Sequence, residues 1–323
     1  MKATRRHIFR GLAGTFGSWV ANRVKSATPL DESPETVIFR KEQTRVLAKY
    51  GVTAESRFVP LKDPSLQAHV LVSGRGEPVL LIHGGGTVAV NLAGVMAGLA
   101  PSCRCYAPDR PGCGLTDGFD YTNVPFRQHA VNFVRSMLDA LNVPRVALIG
   151  NSMGGLWSLY FALAVPDRVT RVVLLGGPAA SAPPPPRPRS PRPPAGDGSI
   201  EDTRMRFRVL MADANRAPVE VLEADFAASR IPGASRAWNS MVEDCARERT
   251  TMYALRPELK NLKVPVVFIY GEKDMEGPPS LAQEMAALAT NAHCEIIPDA
   301  GHLVWLDQPN VCLRILREFL KSA

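Results

Sequence analysis

Apolar residues in this chain come in two alternating rhythms. Two β-type runs, 57–61 and 67–72, open the series. Apolar stretches follow at 78–83, 104–108, 145–149, 171–175 and 264–270, each flanked by Pro, Gly or Asp, as strands are. Between them, 92–100, 125–141, 153–165, 280–289 and 311–321 repeat their apolar positions at helical spacing, and residues 34–50 read as a first short amphipathic helix. Strands alternating with helices predict an α/β fold, a mostly parallel central sheet flanked by helices on both faces.

One stretch breaks the alternation. Residues 178–198 (PAASAPPPPRPRSPRPPAGDG) are low in complexity and hold too little apolar surface to fold, so they are expected to be a disordered linker. Residues 199–262 then carry helical patterns, which predicts a helical cap inserted between two strands of a core made of 31–177 and 263–323. The basic PPPPRPR run also fits a ligand for an SH3-type partner.

Composition adds limits. Hydrophobic residues make up 46% and charged residues 21%, the balance of a globular enzyme. The net charge of +7 is concentrated in residues 1–30, where Lys2, Arg5, Arg6, Arg10, Arg23 and Lys25 stand without one acidic residue. The remainder is near neutral and has no basic stripe interleaved with aromatics, which argues against nucleic acid as a partner. Thr4 to Arg10 resembles a twin-arginine export signal, and the same residues fit an organellar transit peptide or a plain basic N-terminus. Residues 11–22 are too short and glycine-rich for a stable membrane anchor. Without such a signal the protein is expected in the cytoplasm. The six cysteines show neither a CxxC pair nor zinc spacing, so no metal or organic cofactor is expected and the thiols read as free and structural. A small-molecule substrate is the expected partner, and a homo-oligomer stays open.

Candidate chemistry centres on Gly150-Asn151-Ser152-Met153-Gly154-Gly155. A GxSxG pattern is weak alone, but here it follows a strand and opens a helix, the setting of a nucleophile elbow. A serine hydroxyl needs a base. His302, in a Gly-His turn before the last helix, is placed to serve. Asp274, just past the strand at 264–270, is placed to orient it, with Glu272, Glu276 and Asp299 as alternatives. The order Ser, Asp, His differs from that of other serine hydrolase folds. His83-Gly84-Gly85-Gly86 follows a strand; Gly85 and Met153 are the expected N–H donors of an oxyanion hole, with His83 orienting the glycines. Asp109-Arg110-Pro111-Gly112-Cys113-Gly114 reads as an architectural turn.

With these motifs, 52–319 resembles the α/β-hydrolase superfamily. HGGG at 83–86, GNSMGG at 150–155 and the Asp274–His302 spacing are similar to those of the carbon–carbon bond hydrolases of aromatic ring-cleavage products. That resemblance implies a Ser-His-Asp hydrolase of vinylogous diketones whose cap arginine binds the substrate carboxylate, and Arg230 is the candidate for that arginine. In that family a tryptophan usually follows the histidine directly; here Leu303 follows it and the tryptophan is Trp305. Related esterases, lactonases and thioesterases share the triad without that tryptophan. The expected function is therefore hydrolysis of an ester or activated C–C bond of a small carbonyl compound, the alternative being a slow or non-catalytic small-molecule receptor on the same fold.

Overall fold

The computed structural model describes residues 33–177, 198–247 and 252–321. Its strands are β1 (Glu55–Lys62), β2 (Ser65–Gly74), β3 (Glu77–Ile82), β4 (Cys103–Pro108), β5 (Val146–Asn151), β6 (Val169–Leu175), β7 (Val266–Gly271) and β8 (Ala292–Ile297). They form one sheet in the order β1-β2-β4-β3-β5-β6-β7-β8. β2 pairs antiparallel with β1 and β4, and every other pairing is parallel. The expected α/β architecture is the one observed. β8 is the strand the sequence did not announce. It lies at the sheet edge, and His293 and Glu295 interrupt the apolar run that marks the buried strands.

The helices are α1 (Pro34–Lys49), α2 (Ala93–Leu99), α3 (Phe126–Ala140), α4 (Met153–Ala164), α5 (Ile200–Leu210), α6 (Val219–Arg230), α7 (Ala234–Arg247), α8 (Met252–Leu259), α9 (Pro279–Leu288), α10 (Val304–Asp307) and α11 (Pro309–Lys321). Side chains alternate across a strand, so each central strand feeds two cores. Val79, Leu81, Ile149, Val173, Leu175 and Ile269 join residues of α1, α2 and α11 on one face. Leu80, Ile82, Leu148, Val172, Leu174 and Phe268 join residues of α3, α4 and α9 on the other. This two-sided burial explains why these strands read as continuous apolar runs.

Helices α5 to α8 lie between β6 and β7, where the cap was expected. Of these, α5, α6 and α7 meet the loops that leave the carboxyl ends of the parallel strands, the edge at which open α/β sheets bind ligands. α1 packs against cap helix α6, with an Arg45–Glu223 ion pair of 2.5 Å between them. The basic segment 1–30 and the proline-rich run 178–197 lie outside the described residues.

The turn after β4 is the architectural one. Asp109, fully buried, accepts from the N–H groups of Ala89 at 2.8 Å and Leu115 at 3.0 Å. Its carboxylate also meets His69 Nδ1 at 2.7 Å, and His69 Nε2 meets the Ser56 hydroxyl at 2.8 Å. A methyl group at Gly114 would lie 2.2 Å from Asp109 Oδ2, so that position excludes side chains. All six cysteines are free thiols.

Candidate active site

β5 ends on Asn151, α4 begins on Met153, and Ser152 makes the turn between them with φ at 50° and ψ at −117°. Such a backbone is strained for a residue with a Cβ. It persists because the flanking glycines let three segments meet. A Cβ at Gly150 would fall 2.3 Å from the Gly154 carbonyl oxygen, and one at Gly154 would fall 2.1 Å from that of Ile82. The Ser152 N–H donates to the Gly176 carbonyl at 2.9 Å, and the Asn151 amide donates to Leu175 O at 2.7 Å, fixing the turn to the end of β6.

Asp274 and His302 come from the loops after β7 and β8. His302 Nδ1 lies 2.9 Å from Asp274 Oδ2 and 3.1 Å from Oδ1, with both side chains buried. Asp274 Oδ1 also accepts from the N–H groups of Glu276 at 2.9 Å and Gly277 at 3.1 Å, which fixes the carboxylate facing the imidazole. Of the alternative acids, Asp299 is half-buried and paired with Lys273 and Arg216 instead. Those two partners hold its carboxyl down at about 2. Gly176 brings base and nucleophile together. Its carbonyl binds Ser152, and a Cβ on it would lie 3.1 Å from His302 Nδ1. Among the described residues the His302 ring bonds to Asp274 alone. Its Nε2 makes no bond to the serine, as is common in catalytic sites without substrate.

The glycine loop after β3 completes the floor. A Cβ at Gly84 would lie 3.4 Å from Ser152 Cβ, so the loop runs beside the nucleophile. The Gly84 carbonyl is pinned by three donors: His83 Nδ1 at 2.9 Å, Thr87 Oγ1 at 3.1 Å and Arg110 Nη2 at 2.8 Å. The Arg110 N–H donates to His83 Nε2 at 2.9 Å, so Nδ1 carries the imidazole proton. Burial, aided by the Arg110 charge, lowers His83 to about 3 and keeps it neutral. With its carbonyl turned inward and held, the loop presents Gly85 at the rim. Met153, the first residue of α4, has an N–H that no helical carbonyl accepts.

The family model described as "Alpha/beta hydrolase family" matches residues 79–315, from β3 into α11. The chain belongs to that family. This α/β-hydrolase is 25% identical to a 2-hydroxy-6-oxo-6-phenylhexa-2,4-dienoate hydrolase of Burkholderia cepacia, over 85% of this chain and 100% of that protein. It is 28% identical to a 2-hydroxy-6-oxo-2,4-heptadienoate hydrolase of Pseudomonas putida, over 77% of this chain and 91% of that one. In fold it resembles the carboxylesterase CesB of Bacillus subtilis, with a TM-score of 0.73 at 21% identity, covering 90% of this chain and 100% of that chain.

The cap of this α/β-hydrolase grips the site at several points. Trp238 of α7 lies over Gly85, its ring 2.9 Å from where a Cβ would stand. From α5, Arg206 Nη1 donates to Gly86 O at 2.7 Å, and Leu210 O accepts the His302 N–H at 2.7 Å. Asp307 gathers the N–H groups of Gly301 at 2.8 Å, Ala212 at 2.9 Å and Asp213 at 3.2 Å, joining the histidine loop to the end of α5. Trp305 is buried and donates to Asn91 O at 3.0 Å.

Arg230 is not brought to this site. It is exposed as the last residue of α6, about 140° round that helix from buried Asp225. The cap arginine at the glycine loop is Arg206, which the sequence hides among Arg204 and Arg208. Asn91 leaves a trace in the sequence, as a single polar residue in an apolar stretch that proves buried, whereas Asp225 lies among the other polar residues of α6.

Proposed function

We propose that the protein is a serine hydrolase that cleaves an ester or an activated C–C bond of a small carbonyl compound. Ser152 attacks the carbonyl carbon while His302 Nε2 takes its proton. Asp274 holds the Nδ1–H tautomer and stabilises the imidazolium. The oxyanion forms between the N–H groups of Gly85 and Met153. Collapse expels an alcohol from an ester, or an enol from a diketone, with the proton returned by His302. Water then hydrolyses the acyl-enzyme by the same route reversed. The observation that carries this reading is Ser152 in a positive-φ elbow, joined through Gly176 to a buried His302–Asp274 pair. The relatives named as hydrolases of 2-hydroxy-6-oxo-dienoates, which are small carbonyl compounds, support this substrate class.

Covalent labelling with a fluorophosphonate tests it. Stoichiometric mass gain mapped to Ser152, absent from Ser152→Ala, is the expected result. Folded wild-type protein that stays unlabelled would sink the proposal in favour of a small-molecule receptor.

A further inference from the structure

Three side chains from three elements meet where the cap rests on the glycine loop. Arg206, held to Gly86 O, forms an ion pair with Asp225 of α6. The Asp225 carboxylate is 1% exposed, and its Oδ1 accepts from Asn91 Nδ2 at 3.0 Å. Asn91 itself is buried just before α2, and its backbone carbonyl is already engaged by Trp305. Only the nitrogen of an amide can donate to a carboxylate, so the Asn91 orientation is fixed. Its Oδ1 is buried and meets no donor among the described residues.

From this we infer that Asp225, with Arg206 and Asn91, is a specificity wall that admits uncharged acyl compounds and rejects free carboxylates. The inference rests on the hydrolase reading above and narrows its substrate. A Cβ at Gly84 would lie 3.4 Å from Ser152 Cβ, and Arg206 holds the same loop two residues further on, so the pair is anchored to the loop that runs beside the nucleophile. Arg206 is the cation that the cap applies to this loop, and its charge is neutralised by a carboxylate that water does not reach. A substrate carboxylate would have to compete with Asp225 for that guanidinium and lie next to a like charge in a desolvated place. A hydroxyl or N–H carries no charge and suffers neither penalty. The relatives named for dienoate substrates take acids; this chain is built for their uncharged counterparts, such as esters and neutral ketones.

The test compares p-nitrophenyl hydrogen succinate, anionic at pH 7.5, with its methyl ester, of nearly the same shape. Wild-type kcat/KM is expected to favour the methyl ester at least tenfold, and Asp225→Asn, which releases Arg206, should shrink that preference about tenfold through KM on the acid. Calorimetric binding of the same two compounds to Ser152→Ala reads the wall without turnover and should show the same preference. Equal or tighter binding of the acid, or of neither compound, overturns the inference, even where fluorophosphonate labelling upholds the hydrolase. An unchanged preference in folded Asp225→Asn overturns it as well. Should that variant fail to fold, the wild-type ratio and the Ser152→Ala binding still decide.

Discussion

At the scale of single residues, the site depends on positions where a side chain is impossible. Gly154 is the sharpest. Its missing Cβ lets α4 start against the end of β3, and the neighbour it would strike is main chain, which cannot rotate away. Gly154→Ala should cost about 3 kcal/mol, read as a shifted urea midpoint, whereas Gly118→Ala, with nothing within 4 Å, should leave the midpoint in place. Similar midpoints for the two variants would mean that the elbow relaxes freely. Ser152, Asp274 and His302 were all singled out as candidates because motif, spacing and chain order point to them independently. Arg206 and Asp225 were not, because their meaning comes from partners far away in sequence, Gly86 and Asn91, and no local pattern encodes such a meeting.

At the scale of elements, the buried strands could be read and the edge could not. Strands β3, β5, β6 and β7 are apolar on both faces because both faces are covered, whereas β8 has one open edge and tolerates His293 and Glu295. The cap helices were legible as helices, but not in how they attach. One attachment runs through Asp307, whose carboxylate collects three N–H groups from the histidine loop and the end of α5. Asp307→Ala leaves those donors without a partner. It should lower stability by about 3 kcal/mol and, by loosening the backbone that carries His302, reduce kcat between about ten- and a hundredfold. Steady-state kinetics on a neutral ester with parallel denaturation would check this; a stability loss with kcat intact would show that the loop holds the histidine unaided.

At the scale of the whole molecule, two buried histidines set the response to acid. His83 under the glycine loop and His129 in the α3 core are both lowered by burial to about 3 from an ordinary 6.5. Between those values the unfolded chain binds protons that the folded chain refuses. Each histidine therefore removes ~1.4 kcal/mol of stability per pH unit as pH falls below 6.5, and neither contributes above it. His129 stacks on Phe119 and its Nε2 has no partner among the described residues, so His129→Phe should flatten the dependence of unfolding free energy on pH between 6 and 4 by about one such slope. An unaltered slope would mean that His129 is protonated in the folded protein. A second Ser–His–Asp chain, Ser56–His69–Asp109, joins β1, β2 and the turn after β4. It meets every distance criterion for a charge-relay site, and it meets them better than Ser152 does, since its serine is already bonded to the ring nitrogen. Ser56, however, sits on an ordinary stretch of strand with no helix starting behind it. A template search that matches only side-chain triplets would rank the decoy first. What separates the two serines is the main chain around each, so reactivity in this fold is written in the backbone before any side chain is placed.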